Sequence, residues 1–198
     1  DGTSTGFTAE LGVLPANPAI LGTPQLAEAA TLLKALSALS LDARLLAVID
    51  VSGSMQAQTP EGSRITLAVD AAKAAVGLFS NTSEVGLWAF SVDHDPARDW
   101  TEIVPVRPIN AAVGETTQAQ LLTKGVESLP GITGGGTGLY DTALAAFRSA
   151  KAGYDPGKVN SVVLLTDGQN DDPRGISLET LLTNLRAEFD PAQPVMII

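Results

Sequence analysis

The sequence predicts an α/β fold: an open sheet, mostly parallel with one antiparallel edge strand, and helices on both of its faces. Three observations predict it. Two short uncharged runs, Leu45-Leu46-Ala47-Val48-Ile49 and Val162-Val163-Leu164-Leu165, have the composition of strands buried on both sides. Each run breaks off into a polar cluster, Asp50-Val51-Ser52-Gly53-Ser54 and Thr166-Asp167-Gly168, as a strand does when its carboxyl end emerges into a crevice. Between and after them lie segments whose apolar residues recur at helical spacing, which gives the order β, α, β, β, α, α, β, α, β.

The elements follow from local pattern. Residues 1–43 read as an N-terminal arm. Its first 22 residues are rich in Gly, Thr and Pro with no sustained period. Thr23-Pro24 then has the form of an N-cap and first helical position, opening an Ala- and Leu-rich helix over about 24–40. That helix is apolar on most of its circumference and is expected to pack on another surface. Residues 44–198 read as one domain. After the first strand, Ile65, Ala68, Val69, Ala72, Ala75, Val76 and Phe79 fall on one helical face. Residues 84–91 are apolar on both faces and predict a central strand, whereas residues 101–107 contain Pro105 and stop before Pro108, the mark of an edge strand. Thr117 with Gln120 forms a capping-box pattern ahead of a helix carrying Leu121, Leu122, Val126 and Leu129. Leu139, Ala143, Ala146, Phe147 and Ala150 stripe the next helix. Leu178, Leu181, Leu182, Leu185 and Phe189 stripe the last one, behind Ser177, and Val195 opens a further strand.

Composition narrows the function. Lys and Arg number 12 against 22 Asp and Glu, a net charge of −10. Such a surface repels phosphate backbones and anionic membranes, so neither nucleic-acid binding nor direct membrane insertion is expected, while a cation site suits it. There is no Cys, which removes disulfides, thiolate metal sites and thiol nucleophiles. The uncharged stretch 11–27 is broken by Pro15, Pro18 and Pro24 and cannot form a membrane-spanning helix. A start at Asp1 without a visible signal peptide reads as a processed product or an excised segment.

Asp50-Val51-Ser52-Gly53-Ser54 offers one carboxylate and two hydroxyls, and Gly53 lets the backbone turn them towards one point. Such hard oxygen donors suit Mg²⁺, Mn²⁺ or Ca²⁺. The competing reading is a plain turn in which Asp and Ser cap the following helix. Downstream, Gly134-Gly135-Gly136-Thr137-Gly138 precedes a helical pattern, and Thr166-Asp167-Gly168 follows a buried run. Asp50, Ser52 and Ser54, then Thr137, then Asp167, in this order and after these elements, resemble the von Willebrand factor type A domain with its metal-ion-dependent adhesion site. The flanking strings Asp50-Val51-Ser52-Gly53-Ser54-Met55, Gly135-Gly136-Thr137-Gly138-Leu139-Tyr140-Asp141 and Leu164-Leu165-Thr166-Asp167-Gly168 look like those of bacterial members.

The resemblance runs from about Arg44 to Ile198 and implies a Rossmann-like sheet. It also implies that the chain stops before the family's usual last helix and strand. It further implies that the Ser52, Ser54 and Thr137 hydroxyls contact a Mg²⁺ ion directly while Asp50 and Asp167 act mainly through water. An ion held largely by neutral ligands stays electrophilic, and an Asp or Glu carboxylate from a protein partner completes its shell. The expected function is therefore non-catalytic, metal-dependent protein binding in a larger bacterial surface protein, extracellular or attached to the cell surface. Two alternatives stand beside it. One is a cytoplasmic regulatory domain that works with a ring ATPase, which would use the same site chemistry. The other is a phosphohydrolase with Asp50 as nucleophile, against which Ser52 stands where a second carboxylate is needed and no Lys follows the Gly-rich run. The sole His, His94, has no partner for a two-His metal site, and its place in an acidic turn gives no ground for a Ser, His and Asp arrangement.

The remaining polar residues have plainer readings. Asp141 suits a helix N-terminus, with a supporting role behind the metal ligands as its alternative; Asp171 and Asp172 suit a solvated turn, with tuning of the potential or a second cation as theirs; and Asp93, His94, Asp95 and Asp99 suit a surface loop. Trp88 and Trp100 read as core or interface residues, and Asn81-Thr82-Ser83 as a sequon without meaning in a bacterial protein.

Overall fold

In the computed structural model the described residues are 42–95 and 97–198; the expected arm and its helix over about 24–40 lie outside them. Five strands form the main sheet: β1 (Ala43–Asp50), β2 (Glu84–Asp95), β3 (Arg98–Pro108), β4 (Val159–Leu165) and β5 (Met196–Ile197). Their spatial order is β3-β2-β1-β4-β5. β1 pairs in parallel with β2 and β4, and β4 with β5, while β3 runs antiparallel to β2 at the edge. Four helices connect them: α1 (Arg64–Val76), α2 (Gln118–Ser128), α3 (Leu139–Ala152) and α4 (Leu178–Glu188). Short hairpins at Gln58–Thr59 with Gly62–Ser63, and at Ala112–Val113 with Thr116–Thr117, lie apart from the sheet. The element order and the antiparallel edge strand are those the sequence predicts.

Alternation along β1 divides the core. Leu45 and Ile49 join the cluster capped by Ile65, Ala68 and Val69 of α1 and Leu122 and Val126 of α2. Leu46 and Val48 face the other way, onto Ala146 and Phe147 of α3, with Leu185 of α4 packed at the margin. With both faces covered, β1 is apolar throughout its central part, which is why it reads as a continuous run. Helix starts obey local chemistry. Ser63 accepts from the Thr66 amide at 3.2 Å to cap α1, and Thr117 and Gln120 complete the predicted capping box of α2.

The edge pair departs from the prediction. β2 and β3 are longer than residues 84–91 and 101–107, and the acidic stretch expected as a loop is strand instead: Asp93, His94 and Asp95 extend β2, and Asp99 belongs to β3. Polar composition signalled solvent there, but backbone pairing continues to Asp95 opposite Arg98. The ladder slips between Val85 and Leu87, opposite Pro105. There the fully buried Gln118 donates its Nε2 to Val85 O at 2.8 Å and to Pro105 O at 2.6 Å. Trp88 on β2 and Trp100 on β3 stack with ring centroids 3.7 Å apart and planes 4° from parallel, and the Arg98 guanidinium lies 4.2 Å from the Trp100 ring centroid.

Strand order reverses direction at β1, so the crevice beyond the carboxyl ends of β1 and β4 is the sheet's topological switch point. At the opposite end of the strands, Glu84 pairs with Arg44 and with Lys158, the latter at 2.6 Å.

Candidate metal-binding site

β1 ends on Asp50 and so delivers its carboxylate to this crevice, where it is fully buried. The Ser52 amide donates to Asp50 Oδ1 at 2.7 Å and the Thr166 hydroxyl donates to Oδ2 at 2.7 Å. Burial pushes the Asp50 carboxyl above its usual range. The bonds from Thr166 and Ser52 oppose that push, and the charge of nearby Asp167 adds a smaller one in the same direction. A cation bound in the crevice would offset the cost of holding this carboxylate ionised.

The next residues turn sharply. Gly53–Gln56 is a single 3₁₀ turn with Ser52 at its N-cap, yet the Ser52 side chain makes no capping bond. Ser52 Oγ instead lies 3.0 Å from Ser54 Oγ, and Ser54 Oγ donates to Asp167 Oδ1 at 2.8 Å. The turn-and-cap reading therefore accounts for the Asp50 bond to the Ser52 amide but not for the two hydroxyls. The cap of α1 is supplied by Ser63.

The Gly-rich loop is stitched to the first by backbone bonds. Gly134 N donates to Val51 O at 2.7 Å, Gly53 N to Gly135 O at 2.9 Å, and Val92 N to Gly136 O at 2.8 Å. Gly135 has φ +74° and passes so close to β2 that a Cβ would sit 2.9 Å from Val92 O, so both its conformation and its space call for glycine. Thr137, buried at 4% exposure, follows at the entry to α3, and its main-chain oxygen accepts from Asp171 N at 2.8 Å. A Cβ built on Gly168 would stand 3.8 Å from Thr137 Oγ1, so this hydroxyl lies beside the loop that carries Asp167.

The structure thus brings all five sequence-derived residues to the end of the sheet. Asp50, Ser52, Ser54 and Asp167 form one hydrogen-bonded chain, and Thr137 is held alongside through its loop. Two carboxylates and three hydroxyls in a crevice, with Asp50, Ser52 and Thr137 buried, are a donor set that fits a hard divalent cation.

Two contributors were not anticipated as such. Thr166 was quoted only as a neighbour of Asp167, but it fixes Asp50. Arg64, the first residue of α1, pairs its Nη1 with Asp167 Oδ2; the Asp167 side chain is 11% exposed and that of Arg64 43%. One local signal pointed to it: a cation at the positive end of a helix is misplaced unless an anion compensates it.

A second acidic group lies nearby. Asp99, Asp141 and Asp172 each direct a carboxylate oxygen to within 4.8 Å of the others. Asp141 also accepts from Ile176 N at 2.8 Å, which ties the start of α3 to the loop before α4, while Asp172 accepts from Arg174 N at 3.0 Å, a local bond of the kind the turn reading expects. Asp171 is exposed.

Comparison with known proteins bears on the fold that carries these loops. The chain is 27% identical over 155 residues to uncharacterized proteins from two strains of Mycobacterium tuberculosis, CDC 1551 / Oshkosh and ATCC 25618 / H37Rv. The alignment covers 78% of this chain and 22% of each relative, so the chain spans about a fifth of the curated proteins it matches. The family profile of the von Willebrand factor type A domain matches residues 45–169, from the middle of β1 to just past Asp167. The chain therefore belongs to the von Willebrand factor type A domain family.

Proposed function

We propose that this domain is a non-catalytic protein-binding module that works through a divalent metal, Mg²⁺ in the first instance with Mn²⁺ or Ca²⁺ as substitutes, held by Asp50, Ser52, Ser54, Thr137 and Asp167. Domains of this family are in general interaction modules and often bind a divalent metal. The observation that carries the reading is the chain of bonds from Asp50 through Ser52 and Ser54 to Asp167, which brings the donors of two distant loops together. A bound divalent cation supplies an electrophilic position open to a carboxylate oxygen. In this reading Ser52, Ser54 and Thr137 supply neutral ligands, Asp50 and Asp167 supply the compensating charge, and a partner's Asp or Glu side chain is the ligand.

The catalytic alternative loses support from Asp50 itself. Both of its oxygens accept hydrogen bonds and the side chain is fully buried, a poor state for a nucleophile. The chain spans about a fifth of its bacterial relatives, which supports a place in a larger protein; a surface location and an adhesive role remain part of the proposal.

Thermal unfolding with chelator, Mg²⁺ or Ca²⁺, beside Asp50→Ala, tests the metal site. At metal about a hundredfold above its dissociation constant the wild type gains roughly 2.7 kcal/mol. Asp50→Ala is expected to stay folded and to show no gain. A wild type indifferent to every divalent ion would sink the reading.

A further inference from the structure

We propose that Arg64 is a tethered counter-ion of the metal site, which neutralises Asp167 while the site is metal-free and lowers its affinity for divalent cations. This rests on the metal-binding reading above and adds to it the group that sets the threshold for occupancy.

The argument begins with Asp167. One carboxylate oxygen accepts from Ser54 and the other is paired with Arg64, so the two contacts together engage both oxygens. Ser54 and Asp167 are also two of the five proposed metal donors. A divalent ion drawing on them meets a positive charge paired to the same carboxylate, within reach of an electrostatic repulsion that salt screens only in part. Either the guanidinium leaves or the ion binds against it. Both lower the affinity.

The surroundings favour departure of the arginine. Its backbone is anchored independently, since Arg64 N donates to Ala57 O at 3.0 Å and Ser63 caps the helix. Its side chain is 43% exposed and can swing into solvent, whereas Asp167 is 11% exposed and follows directly on β4. The first turn of α1 contains no acidic residue, so nothing on the helix itself retains a cation at that end. Asp167 is what retains it. In the metal-free state the pairing also relieves the repulsion between Asp167 and the buried Asp50.

Two opposite effects of removing Arg64 follow. The metal-free protein loses the partner that neutralises Asp167 and becomes less stable. The metal-bound protein loses a repulsive charge and becomes relatively more stable.

The experiment compares wild type, Arg64→Gln, Arg64→Lys and Asp50→Ala by Mg²⁺ titration calorimetry and by thermal unfolding in chelator and in Mg²⁺. Gln keeps a polar, helix-compatible side chain at an exposed position, and circular dichroism checks that the fold is unchanged. Arg64→Gln is expected to bind Mg²⁺ about three- to tenfold more tightly. It should unfold at lower temperature in chelator and show a larger Mg²⁺-dependent rise. Arg64→Lys, which keeps the charge, is expected to stay near wild type. If Arg64→Gln binds Mg²⁺ no better than wild type while Asp50→Ala abolishes binding, the metal site stands and the counter-ion role is wrong. If neither wild type nor Arg64→Gln binds Mg²⁺, the metal reading fails and takes this one with it.

Discussion

Asp50 illustrates how a single residue serves fold and site in opposite senses. Its carboxyl is raised above the ordinary 3.8, chiefly by burial, so the native state holds its proton more firmly than the unfolded chain does. Between the unfolded value and the raised folded one, the stability of the metal-free protein therefore falls as pH rises. Asp50→Asn, which keeps shape and one acceptor, is predicted to flatten that slope in chelator and to unfold no earlier than wild type near neutral pH. Added Mg²⁺ should reverse the order by stabilising only the wild type. A slope as steep in the Asn variant would assign it to another carboxylate. Thr137→Val tests the third loop. It keeps the side chain's shape but deletes a hydroxyl at a 4% exposed position, and is predicted to change stability in chelator by no more than about 1.5 kcal/mol while weakening Mg²⁺ binding at least tenfold. The site residues were legible because each sits in a short contiguous string at the end of an element. Arg64 and Thr166 act across 103 and 116 residues of sequence, through contacts that only the folded loops create, and spacing carries no trace of those.

Elements were legible where one periodicity ruled them. The stripes of α1 to α4 and the unbroken apolar runs of β1 and β4 predicted their type. Pro105 correctly marked β3 as the edge, since a proline cannot donate to a ladder. What the pattern could not convey was how β2 accommodates that proline. The answer is a register slip filled from α2 by the Gln118 amide, together with a glycine at position 86, where a Cβ would lie 2.6 Å from Val106 Cγ2 and 2.9 Å from Val106 N. Gln118→Leu strands two carbonyl oxygens, one of them in a fully buried bond, and is predicted to cost about 2–4 kcal/mol in urea unfolding. Gly86→Ala should be destabilising as well, by about 1–3 kcal/mol, because the obstacle is partly backbone. Full stability in both variants would show the slip to be supported by something else. The extension of β2 and β3 through acidic residues escaped notice for a related reason: composition reports solvent contact, whereas a two-stranded arm needs only backbone partners.

At the scale of the molecule, the α/β order and the switch-point position of the site followed from the alternation of strands and helices. The Asp50 crevice and the chain's entry into the sheet lie at opposite ends of the eight-residue β1, about 23 Å apart. A chain lacking residues 1–41 is accordingly predicted to keep its Mg²⁺-dependent thermal shift; loss of that shift would mean that the arm contributes to the site. The excess of acidic residues, 22 against 12 basic, makes the metal-free fold self-repelling, and added monovalent salt should raise its melting temperature modestly. The two stacked tryptophans have a consequence of another kind. They are the chain's only indoles, lie almost parallel and bridge β2 to β3, so their electronic transitions couple as an exciton pair. Trp100 adjoins Asp99, whose side chain packs against Gly138, the residue after Thr137. The protein thus carries an intrinsic optical probe close to the Thr137 loop, and a rearrangement of that loop on adding Mg²⁺ is predicted to change the near-ultraviolet circular dichroism without any attached label.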